Sequence, residues 1–234
     1  MEVLEQARLD LVAVALSNDA EVPVLERLLT VAVDLLAVTA AGIVIISEGQ
    51  HGGAVAVSDK RFAVVDDLQF SLGEGPGVDA AGAARPILEP DLALSLGLWP
   101  AFAPAALEVG TNAAFAFPLR IGAISIGVMM FYRDAAGDLG EANLADAVTL
   151  GVIATHLLLE LEATVEPGSF PSQLTDVIDH RAHVHQATGM ISAQLDVDMA
   201  TALSRLRAFA WSHDRSIDDV ANEVVGKHLR FHEP

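Results

Sequence analysis

Apolar residues at spacings of three and four predict two amphipathic helices at the start of the chain. The first helix covers 1–20 and ends at Asn18 and Asp19, which break the pattern. The second covers 22–36, where Val24, Leu28, Val31 and Leu35 share one face. The apolar positions of the first helix are Leu4, Ala7, Leu11 and Val14.

Short runs rich in Ile, Val and Phe predict strands after these helices. A loop that includes Gly73 to Gly77 leads from the first pair of strands to a short helix, and a second short helix covers 99–108. Strands interspersed with helices and closed by a long hairpin predict an α+β fold with a central antiparallel sheet. The predicted strands are Gly42–Ser47, Ala54–Ser58, Pro86–Glu89, Ala113–Leu119 and Ala123–Tyr132.

A long helix over 141–162 has an unusual apolar distribution. One face follows a heptad pattern, and the remaining surface is apolar too, so the helix must be covered on more than one side. We expect one side to pack on the sheet and the heptad side to meet a second copy in a homodimer; packing within one chain is the alternative. The candidate interface residues are Leu4, Leu11, Ala147, Leu150, Ala154, Leu157 and Leu161.

The Pro- and Gly-containing segment 164–172 predicts a linker, and 173–234 predicts a separate bundle of three helices. In its first helix, Ala182, Gln186, Gly189 and Ala193 form a strip of small residues opposite the apolar face. A glycine inside a helix costs about 1 kcal/mol relative to alanine, and its usual reason is the close approach of another backbone. The strip is therefore either a helix–helix contact or a binding face. Asp198 and Ser216 are the expected N-caps of the second and third helices.

Charge and composition narrow the function. The chain has a formal charge of −19, which argues against binding nucleic acid, but from Ser172 onward it has 9 acids and 6 bases against 23 and 7 before. No cysteine is present, so disulfides and thiolate chemistry are excluded, and this suits a cytoplasmic protein. No nucleophile–base motif such as G-x-S-x-G occurs, and we expect no enzyme activity, no cofactor and no metal. His180, His183 and His185 would not converge on one face of a helix.

The apolar stretch 28–46 is long enough to be a candidate membrane span. Asp34 near its middle would cost about 2.5–3.5 kcal/mol in a bilayer. A helix followed by a buried strand accounts for the same residues, so we expect no membrane segment.

The C-terminal bundle is similar to the ANTAR domain, an RNA-binding module of bacterial transcription antiterminators. The similarity rests on Arg181, the string from Gln186 to Ile191, Leu206 with Arg207, and Val220 with Ala221 at matching spacings. It implies that RNA hairpins in nascent transcripts are the partner, with bases of their single-stranded loops read by stacking and edge contacts. The candidate RNA-binding residues are Arg181, His185, Gln186, Thr188, Gly189, Arg205 and Arg207.

Residues 21–163 resemble a GAF domain, a small-molecule-sensing module. The similarity rests on the string from Leu72 to Ala80, on Leu98-Trp99-Pro100, and on Phe117-Pro118-Leu119 followed by Ile126-Gly127. It implies a sensor with a ligand pocket walled by the sheet, for which Trp99 and Phe117 are candidates.

Together these patterns predict a signal-responsive, homodimeric antitermination regulator. The alternative is a non-enzymatic small-molecule-binding or protein-interaction module whose C-terminal bundle docks on protein.

Overall fold

The computed structural model describes residues 22–47, 50–163 and 172–232. The helix predicted over 1–20, with Leu4 and Leu11, lies outside the described residues. So does nearly all of the predicted linker.

A five-stranded antiparallel sheet forms the centre of the N-terminal domain, with strand order β2-β1-β5-β4-β3. The predicted α+β class and the predicted strands are confirmed, apart from shifts of a few residues at their ends. The strands are β1 (Ala40–Ser47), β2 (Gln50–Val57), β3 (Ile87–Glu89), β4 (Ala113–Ile121) and β5 (Ile124–Arg133).

Helices cover both faces of the sheet, because side chains alternate between the two faces along each strand. On one face, α1 (Val24–Leu36) and the long helix that follows β5 pack on Met129 and Phe131. On the other face, α2 (Lys60–Leu72), α3 (Pro76–Ala83) and α4 (Phe102–Glu108) cover Val128 and Met130. A short 3-10 helix, Leu92–Leu94, lies beside α4. The long helix is α5 (Glu141–Ala163).

The segment after β2 is helical, where the sequence predicted a loop. Asp59 caps the start of α2 by accepting a hydrogen bond from the amide of Arg61 at 2.7 Å. Gly73 ends the helix in the left-handed conformation (φ 71°) that favours glycine. The predicted loop is therefore shorter, and α2 contributes Asp66 and Phe70 to the contact with the C-terminal domain, whose first helix also packs against β2.

The C-terminal domain is a bundle of three helices, as predicted: α6 (Ser172–Leu195), α7 (Met199–Ser212) and α8 (Ile217–Val225). Asp198 and Ser216 are confirmed as N-caps; they accept from the amides of Thr201 and Asp219, respectively. One side chain from the first domain, Phe70 of α2, is buried in the core of this bundle.

Candidate nucleic-acid interface

The strip of small residues on α6 is an open surface. Ala182, Gln186 and Ala193 are exposed, and no described atom outside the helix lies within 4 Å of where a Cβ on Gly189 would stand. Gly189 therefore does not make a helix–helix contact within the bundle. We call these four residues the open strip.

The opposite face of α6 is core, and it includes one candidate RNA-binding residue. Thr188 is fully buried, and its hydroxyl donates a 2.7 Å hydrogen bond to the carbonyl of Val184 one turn earlier. A fully buried side chain whose hydroxyl bonds its own helix cannot reach RNA, so the assignment of Thr188 to the RNA surface is corrected. Its position between Val184 and Ile191 in the apolar pattern explains the burial.

Arg181, another candidate, is buried against the N-terminal domain. Its Nη2 donates to Asp66 Oδ2 at 2.9 Å and to Asp67 Oδ1 at 2.7 Å. Its guanidinium lies over the ring of Phe70, 4.1 Å from the centroid. The side chains of Arg181 and Asp66 are 5% and 1% exposed, whereas Asp67 is 56% exposed. The guanidinium is therefore held between one buried carboxylate and one at the surface.

Arg207 of α7 reaches the same aromatic ring. Its Nε donates to the carbonyl of Phe70 at 2.9 Å, and its guanidinium is 5.5 Å from the ring centroid. Burial, helped by the nearby charge of Arg181, lowers the pKa of Arg207 to about 10. We call Asp66, Asp67, Phe70, Arg181 and Arg207 the arginine junction.

His185 borders this junction. Its ring makes an edge contact with Phe70 at a centroid distance of 6.3 Å. Burial lowers the pKa of His185, and the charges of Arg181 and then Arg207 lower it further. The docked arrangement therefore favours a neutral imidazole.

The candidates consequently divide into two groups. Gln186, Gly189 and Arg205 lie at the free surface of the bundle, whereas Arg181, His185 and Arg207 face α2. His183 belongs to neither group; its Nε2 lies 3.0 Å from Asp218 Oδ1. Within the described ranges, no group of three His, Asp or Glu residues is placed to hold a metal ion.

The heptad face of α5 packs inside its own chain. Ala147, Leu150 and Ala154 are buried in the core, and Leu157 and Leu161 are partly buried against it, because α1 and the sheet cover this face. These five side chains are thus not a free dimer surface, and packing within one chain accounts for them. The apolar side chains that α5 leaves exposed are Val148, Val152 and Leu159.

Length and composition alone would let residues 141–161 of α5 span a membrane. Core helices of water-soluble domains pass the same test, and a third of the most apolar stretch is buried in this domain.

The two pocket candidates lie on opposite faces of the sheet. Trp99 packs with Phe102 on the face covered by α2, and its indole donates to Asp79 Oδ2 at 3.1 Å. Phe117 packs with Phe131 on the face covered by α1 and α5. The two side chains therefore cannot wall one pocket, which corrects that expectation: Phe117 of β4 packs on the face covered by α1 and α5, whereas Trp99 lies just before α4 on the other face.

A buried amide fills the space between α2 and the sheet on the Trp99 side. Gln69 is fully buried; its side-chain nitrogen donates to the Tyr132 hydroxyl at 2.6 Å, and its oxygen accepts from the Gly77 amide at 2.7 Å. Added Cβ atoms would meet the Phe62 ring at Gly42 and the Met130 sulfur at Gly77. Here the helix and sheet are in direct contact. An open cleft of about 320 Å³ lies at the margin of this face, lined in part by Arg61, Val64 and Thr111.

Sequence reasoning missed the acidic half of the junction. Asp66 and Asp67 lie 115 and 114 residues from Arg181, and nothing local in the chain links them. Two local features could have indicated it. Asp59 and Gly73 mark the ends of a helix, and within that helix two adjacent carboxylates, Asp66 and Asp67, lie one turn before Phe70.

Residues 172–225 match the family model of the ANTAR domain. No curated protein matches the chain. The chain is similar in structure to the GAF domain of a phosphoenolpyruvate-protein phosphotransferase from Acinetobacter, with 14% identity, coverage of 71% of this chain and 99% of that one, and a TM-score of 0.54. The corresponding domain from Coxiella burnetii gives 16% identity, coverage of 67% and 95%, and a TM-score of 0.50. At such identities the similarity shows the fold alone.

Proposed function

We propose that this chain, in which an ANTAR domain follows a domain with the GAF fold, is a regulator that binds RNA hairpins and controls transcription antitermination in response to a signal. The observation that carries this proposal is the ANTAR match over residues 172–225, in the part of the chain that escapes its strong acidity. The role is regulatory and non-catalytic, and its place of action is the cytoplasm.

The open strip is the surface on which an RNA loop would lie. Gly189 leaves room for a close approach of backbone or base, and Gln186 beside it carries both a donor and an acceptor for a base edge. Arg205 supplies a cation at the free surface of α7. No described atom of the N-terminal domain lies within 4 Å of where a Cβ on Gly189 would stand.

The arginine junction is the basis of signal response in this proposal. Arg181 and Arg207 are the cations best suited to phosphate, since a guanidinium binds phosphate and carboxylate with the same fork of donors. In the docked arrangement Asp66 and Asp67 hold Arg181, and both guanidinium groups lie against the ring of Phe70. RNA would gain both cations only after the ANTAR domain leaves α2. A signal that binds the docked and undocked states differently would set RNA affinity.

The exposed apolar residues of α5 support a homodimer, which would present two ANTAR domains to paired hairpins. Val148 and Val152 lie one turn apart on a surface that the described chain does not cover. A second copy of α5 is the partner we propose for this surface.

Gel-shift affinity for a two-hairpin RNA tests the RNA assignment. Gly189→Leu places a bulky side chain in the open strip, where nothing in the bundle opposes it, so the helix should remain folded and even gain stability. We expect at least about a tenfold loss of RNA affinity, equivalent to about 1.4 kcal/mol.

Arg85→Gln is the control, because Arg85 is an exposed cation of the first domain and lies outside both RNA-facing groups. It should bind RNA as the wild-type protein does. A folded Gly189→Leu protein with wild-type affinity would show that α6 is not the RNA face. If the full chain and an Asp66→Asn variant, which breaks the buried ion pair with Arg181, both fail to bind structured RNA, the alternative of a protein-docking bundle is favoured.

A further inference from the structure

A cleft of about 400 Å³ lies where the two domains meet, beside the arginine junction. One wall is the end of α2 with Gly73, and the other is formed by α7 and the start of α8. Its volume is within the range of small-molecule sites, about 300–1,000 Å³. The polar and aromatic side chains that line the cleft are Ser71, Ser204, Arg207, Trp211, Arg215 and Ser216.

The charge of the cleft is opposite to that of the chain. Two arginines and no acidic residue line it, in a protein with 32 acidic and 13 basic residues. The Nε of Arg207 donates a hydrogen bond to the Phe70 carbonyl, and among the described residues no carboxylate forms an ion pair with Arg207. Arg215 is held in place by Glu223, which accepts from both its terminal nitrogens at 2.9 and 3.1 Å. The cleft therefore offers one partly buried, uncompensated guanidinium and one that is positioned by its partner.

An aromatic ring stands at the edge of the same cleft. Trp211 is 68% exposed, whereas the other tryptophan, Trp99, is 1% exposed. A large exposed indole beside two guanidinium groups provides a stacking surface for a planar ring. Phosphate, which accepts hydrogen bonds on several sides, suits guanidinium groups arriving from two different elements.

We propose that this interdomain cleft binds a small phosphate-bearing ligand with a planar ring, of the size of a nucleoside monophosphate. The phosphate lies between Arg207 and Arg215, and the ring lies on Trp211. The site exists only while the two domains are docked, because Gly73 and Ser71 come from one domain and the arginines from the other. The ligand therefore stabilises the docked arrangement by mass action. Its further effect, weaker RNA binding, rests on the function proposed above; binding itself does not.

Calorimetric titration of the full chain with AMP, adenosine and inorganic phosphate tests the site. We expect saturable binding of AMP, at least about tenfold weaker binding of adenosine, and binding of phosphate at the same site with lower affinity. AMP should also change the fluorescence of Trp211 and raise the melting temperature.

Two variants and one control locate the binding. Arg207→Gln should weaken AMP at least about tenfold, and Trp211→Ala about fivefold, whereas Arg85→Gln should bind like the wild type. Trp211 is largely exposed, so its replacement leaves the fold intact even if Arg207→Gln weakens docking.

Three results would overturn the proposal: no binding of AMP or phosphate at millimolar concentration, equal binding of AMP and adenosine, or AMP binding that neither variant changes. Binding of an RNA hairpin in the cleft without any binding of AMP would assign these residues to the RNA surface instead. The calorimetric titration with AMP contains no RNA. A protein that fails to bind RNA can therefore still bind AMP, so the two proposals can fail separately.

Discussion

Replacing Asp66 by Asn is the sharpest perturbation of the arginine junction. The carboxylate of Asp66 is 1% exposed and accepts from Arg181 at 2.9 Å. The amide keeps the shape of the side chain and one acceptor oxygen, but it removes the charge. Arg181 then stays buried after losing its buried carboxylate, whereas its bond to Asp67 lies at the surface. Undocking returns the guanidinium to water, so the substitution acts mainly on the docked state.

The expected loss of docking free energy depends on which carboxylate is replaced, because Asp66 is buried and Asp67 is exposed. Removing one partner of a buried ion pair costs about 3–5 kcal/mol. The amide oxygen and Asp67 retain part of that, so docking should weaken by about 2 kcal/mol, or roughly 30-fold. Apparent RNA affinity rises by the same factor while the docked state dominates, because affinity scales with the fraction of competent protein. Asp67→Asn removes an exposed partner worth about 0–1 kcal/mol, or fivefold at most.

Gel-shift affinity for the two-hairpin RNA measures this, with circular dichroism to confirm folding. Asp34→Asn is the matched control: it removes one negative charge from an exposed position on α1, far along the chain from the junction. It should change affinity less than twofold. Equal affinities of folded Asp66→Asn and wild-type protein would refute the idea that docking withholds Arg181 from RNA, as would a larger effect from Asp67→Asn.

Three other predictions concern the core, the junction and the dimer. Gln69→Leu should lower stability by about 2–4 kcal/mol, measured by urea unfolding, because it leaves the buried Gly77 amide without its acceptor and the Tyr132 hydroxyl without its donor. Because the docked arrangement lowers the pKa of His185, its contribution to docking is complete above the ordinary pKa of about 6.5 and is lost as pH falls from there through the lowered pKa; RNA affinity should therefore rise from pH 7.5 to 6.0, and His185→Gln should flatten this change. Val148→Asp with Val152→Asp should give a folded monomer by light scattering, and a dimer of unchanged mass would rule out this surface.

Much of the fold could be predicted because its elements follow simple periodicities. The strands β4 and β5 are apolar runs bounded by turn residues, and the caps at Asp198 and Ser216 lie where the helices begin. The helix α2 escaped prediction because its buried face is not apolar throughout: Asp66 and Gln69 lie between Phe62 and Phe70 on the inward side. Asp66 bonds Arg181 and Gln69 bonds Tyr132, both distant in sequence, so the usual apolar spacing of a helix is broken.

The candidate site was predictable only where it depends on local pattern. The open strip follows from the spacing of small residues along α6, and the structure leaves it uncovered near Gly189. The heptad on α5 predicted a dimer seam, yet Leu150 packs in its own core, since periodicity shows that a face is covered and not what covers it. The pairing of Arg181 with Asp66 depends on contacts across 115 residues, which no short-range pattern contains.

The salt dependence of RNA binding tests the central claim most directly. Each phosphate contact adds about 0.7–0.9 to the slope of log affinity against log salt concentration. If Arg181 and Arg207 both reach RNA phosphates after undocking, replacing Arg207 by alanine in the Asp66→Asn background should lower the slope by about 0.7–0.9, and replacing Arg181 as well should lower it by about 1.5 in all. Arg85→Gln in the same background is the control and should leave the slope unchanged. An unchanged slope in the folded Arg207→Ala variant, or binding that is insensitive to salt, would contradict the account.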